Sequence, residues 1–424
     1  MAQSNGSRWF CCYFPHGMAG GATSTLIPLF AYALGGSLAD IGIIAAATSI
    51  ASVPAFVFWG ALSDRLGRRK LFLLVGFVGS AVSFAAMAVS STMGQFYLAN
   101  LLVGFLGSAS GPVGAVLAME TSDRKRWPSR LALLSRMSGV GWVIGLVLGV
   151  VWLTIGPGLV GDIGAMRALF VIGAALGALA AGLAASWLTE PAERVERRTV
   201  SLVDIHFRVE RVKYLPMRLI HFFDPRGPRD KAALPQSLRR YLLSVFLLFS
   251  GFTAFYGFFP ILLRDAYGLS NPEVFAVFIA SQVASAASYV RVAKWVSDRG
   301  SRTLQVYASL GRAALFPSFF LVTLLPLPWA GRLAAALVLH VGVGLCWAVI
   351  NVAGSTLVSR LAPDRSRAEA MGAYNAMQGF GSILGPLLGG FVAELSGYGF
   401  AIGASVGFIL AGTILLAANR FSEK

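Results

Sequence analysis

The sequence has 424 residues, of which 56% are hydrophobic and only 13% are charged, and its mean hydropathy is +0.70. A soluble domain contains roughly 25% charged residues, so this composition excludes a water-soluble globule. The net charge of +16 raises the alternative of a nucleic-acid-binding protein. The cations, however, stand in short connections between apolar runs, as the positive-inside rule requires of membrane proteins. We therefore expect membrane lipid, and no nucleic acid, around this chain.

Twelve apolar runs follow one another along the chain, each about long enough to cross a hydrocarbon core of about 30 Å. Because lipid offers the backbone no hydrogen-bond partners, runs of this length predict transmembrane helices and not barrel strands. The first run lacks a small-residue cleavage site, so we expect it to remain as a span. The runs cover residues 9–34, 41–62, 71–90, 94–119, 132–155, 166–189, 241–263, 273–296, 303–326, 332–358, 371–393 and 398–418.

Lysine and arginine residues fall almost entirely on one side of the predicted membrane. With both termini placed in the cytoplasm, 29 of the 35 cations lie in cytoplasmic segments, and three, Arg167, Arg264 and Arg332, lie outside. An asymmetry of this size sets the orientation of a polytopic protein. We predict a multi-pass protein of the cell membrane with cytoplasmic N- and C-termini.

One long polar stretch, residues 190–240, divides the twelve runs into two sets of six. It carries twelve cations and seven acids. We interpret it as a solvated linker whose cations lie against anionic headgroups, with a regulatory domain as the alternative. The predicted organisation is an N-terminal six-helix half (1–190), a central cytoplasmic linker (191–240) and a C-terminal six-helix half (241–424).

The two halves are related in sequence, which predicts an ancestral duplication and two pseudo-symmetric halves of equal orientation. The second and eighth runs both end in Ser-Asp-Arg. Two glycine ladders, spaced so that their members share one helix face, permit close helix packing. The ladders are Gly139-x-Gly141-x3-Gly145-x3-Gly149 in the fifth run and Gly379-x-Gly381-x3-Gly385-x3-Gly389 in the eleventh.

A charged motif, Gly60-Ala61-Leu62-Ser63-Asp64-Arg65-Leu66-Gly67-Arg68-Arg69-Lys70, follows the second run. It resembles the G-x-L-x-D-R-x-G-R-[RK] signature of the major facilitator superfamily at every defining position. With twelve runs, a central basic loop and a duplicated half, the resemblance covers the whole chain. It implies an all-α membrane fold that transports solutes by alternating access. It also implies a gating motif made by Gly60, Asp64, Arg65, Gly67, Arg68 and Glu120.

The residue types in this motif fit such a role. Gly60 and Gly67 permit tight turns and close backbone approach. Asp64 is placed to accept hydrogen bonds from arginines and to face a helix N-terminus, where the helix dipole favours an anion. In the family this aspartate braces the eleventh helix, which Ser366 and Glu369 would open with a capping box. The alternative is that the basic loop only fixes topology.

The resemblance also assigns contacts to the glycine ladders. In the family, helix five contacts helix eight and helix eleven contacts helix two of the opposite half, through surfaces that can rock. Helix eight offers small residues for such a contact at Ala280, Ala284, Ala287 and Ser288. Two departures from family antiporters argue against proton-coupled drug export. Leu146, and not proline, follows Gly145, and Asn100 stands where many members have arginine.

Candidate cavity residues follow from polarity and helix membership. Acids avoid the predicted membrane interior, whereas Arg136, Arg291 and Arg312 lie within it, and intramembrane charges are functional candidates. Arg312 is on helix nine, peripheral in the family, so snorkelling or structural pairing competes with a substrate role. A histidine of the cavity-lining helices would carry protons if transport is proton-coupled. The cavity candidates are His16, Asn100, Arg136, Tyr256, Gln282, Arg291, His340, Asn351, Tyr374, Asn375 and Gln378.

The sequence therefore predicts a solute transporter that acts as a monomer and needs no cofactor. It contains no paired carboxylates, no metal-spaced His/Cys cluster and no nucleotide-binding glycine loop, so we expect no enzyme. Three functional hypotheses remain open. The first is transport of a small organic anion or metabolite, and the second is efflux of an amphipathic compound. The third is a receptor or scaffold that has lost transport.

Overall fold

The structure is a computed structural model, and it describes residues 5–121, 126–190, 235–363 and 367–418. The described ranges are almost entirely helical and contain no strand. Ser366, and with it the expected capping box, lies outside them, as do residues 191–234 of the expected linker. The domain boundaries at 190 and 241 therefore stay predictions.

Nine α-helices and one 3₁₀ helix lie in the described part of the first half. Proline or glycine stands at or beside several of their ends, as at Gly67, Pro157 and Gly161. In chain order they are the 3₁₀ helix Asn5–Cys12, α1 (Tyr13–Ser24), α2 (Leu26–Ala33), α3 (Leu38–Leu66), α4 (Arg69–Val89), α5 (Met93–Gly107), α6 (Ser110–Glu120), α7 (Trp127–Ile155), α8 (Pro157–Val160) and α9 (Asp162–Trp187).

The first apolar run is interrupted at Thr25, between α1 and α2. Thr25 keeps helical backbone angles, with φ −76° and ψ −26°, so the chain direction changes little. Pro28 lacks the N–H that would bond the carbonyl of Ser24, which explains the break. The first run therefore forms one helical segment made of consecutive pieces.

Six long helices make up the described part of the second half, and each corresponds to one predicted run. They end where charged or loop-forming residues begin, as at Arg299-Gly300 between two of them. They are α10 (Gln236–Asp265), α11 (Asn271–Arg299), α12 (Ser301–Thr323), α13 (Trp329–Leu361), α14 (Arg367–Ser396) and α15 (Tyr398–Ala418).

Eleven helical segments of the described residues are long and apolar enough to cross a membrane, with α5 and α6, which together form the fourth run, taken as one span. The interrupted first run adds the twelfth segment. The predicted all-α membrane architecture is confirmed, and most run boundaries agree with the helix ends within a few residues.

The described chain forms two compact units. In the first, α1 packs against α7 and α9, and α4 packs against α5 and α9. In the second, α10 packs against α14 and α15, and α13 packs against α11 and α12. Residues 36–46, which include the first turns of α3, cluster with the second unit, and the rest of α3 belongs to the first.

The glycine ladder of α7 faces α1. A Cβ on Gly145 would overlap the carbonyl oxygen of Met18, and one on Gly21 would overlap that of Trp142. The backbones of α1 and α7 thus touch, as small residues permit in membrane helices. Gly141 and Gly145 thus pack on α1 within the same unit, and the expected contact of helix five with helix eight stays a prediction.

The ladder of α14 repeats this arrangement against α10. A Cβ on Gly385 would overlap the carbonyl oxygen of Ser250, and one on Gly389 would overlap that of Ala254. The expected contact of the second and eleventh runs does occur, but at Gly390, beside the ladder. There a Cβ would lie 3.0 Å from the Cα of Gly42, within the second unit.

Candidate functional site

The charged motif forms a tight connection between α3 and α4. Gly67 has φ +61°, a left-handed conformation that glycine adopts without a steric penalty, and it reverses the chain after Leu66. α4 then begins at Arg69. Gly60, in contrast, lies inside α3, where an added Cβ would meet no described atom within 4 Å. The predicted turn is present at Gly67 and absent at Gly60.

Arg69 is the centre of the charge cluster at this connection. Its guanidinium lies 2.7 Å from the Asp64 carboxylate and donates to both oxygens of Glu120 at 2.9 and 3.0 Å. A further N–H donates to the Ser63 hydroxyl at 2.9 Å. The Arg69 side chain is 8% exposed and that of Glu120 only 1%. A bidentate pair in so buried a place fixes both geometry and partners.

A third carboxylate, that of Glu190, holds the start of α4. Glu190 accepts hydrogen bonds from the backbone N–H groups of Arg69 and Lys70, and the Lys70 ammonium donates to the carbonyl of Ala185. The first N–H groups of a helix lack partners within the helix, and the helix dipole favours an anion there. Glu190 therefore anchors the end of the first half to the motif.

The predicted motif residues fall into two groups. Asp64 and Glu120 meet at one cation, as the resemblance implied. Arg65 and Arg68 are exposed and take no part in that ion-pair cluster. The central cation is Arg69, which the sequence interpretation left out, although it is the buried arginine of the motif.

The second unit contains a cavity of about 320 Å³, a size within the range of small-molecule sites. Five helices, α10 to α14, contribute to its wall. Aromatic rings and hydroxyl groups dominate the wall, and none of the described lining residues is a carboxylate. The lining residues are Phe249, Phe252, Thr253, Tyr256, Phe278, Ser281, Gln282, Arg312, His340, Trp347 and Ser382.

Among the described residues of that lining, Arg312 is the one with a formal charge. It is 2% exposed, and its guanidinium carbon lies 4.5 Å from the Phe252 ring centre and 5.0 Å from that of Trp347. Its one hydrogen bond within the described chain is a long one, from Nη2 to the carbonyl of Val343 at 3.5 Å. Nε has no partner there. Arginine has five N–H donors, so this group can bind an acceptor that enters the cavity.

His340 and Tyr256 form a hydrogen-bonded pair beside Arg312. The Tyr256 hydroxyl lies 3.1 Å from Nε2 of His340, and Nδ1 lies 2.8 Å from the carbonyl oxygen of Val277. His340 is completely buried, and its ring lies near those of Phe259 and Phe278, at 5.0 and 5.2 Å. The pair holds one hydroxyl at the cavity wall in a fixed position.

Three predicted cavity residues, Tyr256, Gln282 and His340, thus line one cavity. The other candidates of the second unit do not line it. Asn351 donates to the Tyr289 hydroxyl at 3.4 Å. Tyr374 is buried and stacks on Tyr241, with ring centres 6.3 Å apart. Gln378 is half-buried on α14, and Asn375 and Arg291 are exposed.

The candidates of the first unit lie apart from one another. His16 packs against Phe77, with ring centres 4.7 Å apart, and its Nδ1 is buried without a partner among the described residues. Asn100 is buried and donates to the carbonyl of Phe96 at 2.7 Å, while its Oδ1 is unsatisfied within the described chain. Arg136 is exposed on α7.

Sequence reasoning named Arg312 as intramembrane but left it out of the site, because helix nine is peripheral in the family. It also missed Thr253, Ser281, Trp347 and Ser382. The charge of Arg312 could have identified it as a site residue, because it is an arginine deep in an apolar run with no acid near it in sequence. Among the described residues, no cluster of three or more His, Cys, Asp or Glu side chains could hold a metal ion.

The fold and these sites define a polytopic helical membrane protein of two compact units with a charged connection after its second span. The sequence profile of the Major Facilitator Superfamily matches residues 9–353 and 318–423. Because these matches cover most of the chain, it belongs to the Major Facilitator Superfamily. The resemblance carried by the motif is confirmed.

Curated relatives match over shorter stretches. The tetracycline resistance protein, class H, of Pasteurella multocida is 34% identical over 106 residues, which make up 25% of this chain and 24% of that protein. The multidrug resistance protein MdtG of Citrobacter koseri is 29% identical over 178 residues, 40% of each chain. The matched segments span less than half the length of these relatives.

Solved structures match over the whole chain at low identity. The nucleoside transporter NupG has a TM-score of 0.71 and 16% identity, over 98% of this chain and 100% of that one. The human organic anion transporter MFSD10 has a TM-score of 0.63 and 19% identity, over 97% and 98%. At such identity the likeness establishes the fold, and the predicted fold class of two six-helix halves is confirmed.

Proposed function

We propose that this chain carries a small organic anion across the membrane by alternating access, and that the anion binds Arg312 in the cavity of the second half. The observation that carries the proposal is a buried guanidinium that meets no carboxylate in the described cavity wall. The sequence favoured Arg136 and Arg291 for anion binding, but both side chains are exposed. We therefore propose Arg312 as the anion-binding residue.

Arg312 is a cation held away from water. Burying an ion costs several kcal/mol in real proteins unless partners compensate it. Phe252 and Trp347 offset part of that cost through cation–π contacts, each worth about 0.5–2 kcal/mol. The long bond to Val343 adds little. A bound carboxylate would supply charge and two acceptor oxygens at once, as arginine prefers.

The cavity wall also indicates the body of the solute. Phe249, Phe252, Phe278 and Trp347 present aromatic surface, which favours apolar or aromatic groups. We therefore propose a solute that joins an anionic group to a small apolar body. Membrane lipid surrounds the chain, and we propose a functional monomer in the cell membrane with both termini in the cytoplasm.

A second candidate function is efflux of amphipathic drug-like compounds. Two observations favour it: the aromatic lining of the cavity, and partial similarity to proteins named for tetracycline and multidrug resistance. A neutral or cationic compound would gain nothing from Arg312. A receptor or scaffold without transport is less favoured, because the Asp64–Arg69–Glu120 cluster is intact.

Uptake into proteoliposomes tests these alternatives. Organic anions, neutral compounds and cations are offered with and without a pH gradient, to wild type, Arg312→Gln and the control Arg360→Gln. Arg360 is an exposed arginine at the end of α13. We expect saturable uptake of anions that Arg312→Gln lowers at least tenfold and Arg360→Gln leaves unchanged. Transport of cations that survives in Arg312→Gln would favour the efflux function instead.

A further inference from the structure

The polar groups of the cavity wall differ in whether they can donate or accept a further hydrogen bond. A backbone carbonyl only accepts, so Nδ1 of His340, 2.8 Å from the Val277 oxygen, carries the proton. No carboxylate lines the cavity in the described chain, and Arg312 lies in the same wall, so a second cation there would be uncompensated. We assign neutral imidazole, whose Nε2 then has only a lone pair.

The Tyr256 hydroxyl must therefore donate to His340. Their 3.1 Å contact joins a hydroxyl, which can do either, to a nitrogen that can only accept. Because its one proton is donated to His340, the Tyr256 oxygen can only accept a hydrogen bond from a group in the cavity. His340 acts as a positioning residue, because it fixes the polarity of Tyr256 toward the cavity.

Two other hydroxyls of the wall have the same polarity. The single proton of the Thr253 hydroxyl is shared between the carbonyl oxygens of Phe249 and Gly381, at 2.7 and 2.9 Å. Ser382 donates to the carbonyl of Gln378 at 2.9 Å. Each hydroxyl has one proton, so these oxygens also offer the cavity acceptor lone pairs. Beside the amide of Gln282 and the hydroxyl of Ser281, the wall thus combines one guanidinium donor with three oriented acceptors.

We infer that this cavity selects organic anions that also carry a hydrogen-bond donor, such as amino- or hydroxy-substituted carboxylates, with the anion on Arg312 and the donor on Tyr256. This inference rests on the proposed function and names its substrate class. A methyl group in place of the donor would leave a desolvated oxygen unpaired, and sites built this way discriminate strongly against analogues that lack the donor.

Binding of shape-matched acids tests the inference. The probes are 4-aminobenzoate against 4-methylbenzoate, and 2-hydroxypropanoate against 2-methylpropanoate, measured by ligand-induced thermal stabilisation of the purified full chain. In wild type we expect the donor-bearing acid of at least one pair to bind at least tenfold more tightly, about 1.4 kcal/mol. Tyr256→Phe should weaken only that acid and reduce the preference below about threefold.

A matched control and a second variant separate polarity from packing. Tyr307, 65% exposed on α12, is replaced by Phe as the control and should change nothing. His340→Leu releases the Tyr256 hydroxyl to donate or accept, so the preference should fall while Tyr256 remains. Unliganded melting curves confirm that each variant is folded.

The outcomes distinguish the donor requirement at Tyr256 from the proposed anion transport through Arg312. Equal binding of both acids of each pair, lost in Arg312→Gln, would overturn the donor requirement and leave the anion carrier standing. Equal weakening of both acids by Tyr256→Phe would also overturn it, since the ring would then act by packing. A donor preference that persists in Arg312→Gln would refute the anion role alone. No binding by any of the four acids would refute both.

Discussion

Arg69 and Glu120 form a two-point ion pair, with N–O distances of 2.9 and 3.0 Å, that joins the first residue of α4 to the last residue of α6. The same guanidinium reaches Asp64 near the end of α3 at 2.7 Å. Three helix ends are thus held by one side chain. The charged motif has a structural role inside the first half, apart from any role in gating.

Removal of this cation should destabilise the first half. Arg69→Ala leaves the carboxylates of Glu120 and Asp64, 1% and 19% exposed, without their shared partner. Loss of one member of a buried ion pair costs about 3–5 kcal/mol. We expect a clear fall in melting temperature and in yield. Arg68→Ala removes an exposed neighbour and is the control; an equal loss in both variants would contradict the clamp.

A milder change at Asp64 separates gating from stability. Asp64→Asn keeps the size, and Arg69 keeps both bonds to Glu120, so we expect little change in melting temperature. Transport should fall at least tenfold, because the anion that the family uses at this gate is gone. Asp298→Asn, the same change in the repeated Ser-Asp-Arg of the second half, provides a comparison. Unchanged uptake by Asp64→Asn would remove the gating role.

Replacement of Arg312 by an apolar residue should not destabilise the protein without solute, but it should abolish anion binding. Arg312→Met removes a buried charge that lacks a carboxylate partner in the described chain and keeps much of the side-chain volume. Replacement of buried ions by apolar residues is often neutral or stabilising. We expect an equal or higher melting temperature without solute, and no further rise when an accepted anion is added. A large fall would indicate a structural cation.

Two glycines of one ladder, Gly145 and Gly139, should respond differently to an added methyl group. Gly145→Ala forces a methyl group onto the Met18 carbonyl, and such overpacking costs about 1–3 kcal/mol. Gly139 lies on the same helix, and a Cβ there meets no described atom within 4 Å. Gly139→Ala should therefore be neutral or stabilising by helix propensity, up to about 1 kcal/mol. Melting temperatures of the purified variants measure the difference.

Orientation can be tested at exposed positions. In a variant without Cys11, Cys12 and Cys346, single cysteines replace Arg65 and Arg126, which the positive-inside rule places in the cytoplasm. An impermeant reagent added to intact cells should leave both unlabelled. Ser91→Cys, in the connection between α4 and α5, should react readily. Efficient labelling at Arg65 or Arg126 from outside would reverse the topology.

The sequence predicted the spans well because length and apolarity alone decide whether a helix crosses lipid. It singled out Asp64 through the spacing of the motif, and Glu120 through the resemblance to the family. The break at Thr25 was missed, although Pro28 provides its cause. A run that is apolar throughout looks continuous by hydropathy, and proline within it is tolerated when neighbours compensate.

The cavity was only partly predictable, for a physical reason. Helices buried in a membrane bundle are apolar on most sides, so no 3.6-residue period shows which face lines a cavity. Polarity therefore selected Tyr256 and His340, which line the cavity of the second unit, but also Asn351 and Asn375, which do not. Arg312 was placed by family analogy, which carried no information about the depth or partners of its guanidinium.

The contact between α1 and α7 has a consequence for how the chain is made. Gly21 packs on the backbone of Trp142 and Gly145 on that of Met18, yet roughly 120 residues separate the two members of each pair. At about 5–20 residues per second, the ribosome needs roughly 6–25 s to reach the second after the first. During that interval the glycine-containing face of α1 has no α7 to pack against and contacts lipid. Since that face is apolar and its backbone bonds are internal, the delay carries little free-energy penalty. α10 must wait for α14 in the same way, so each half is completed late in its own synthesis.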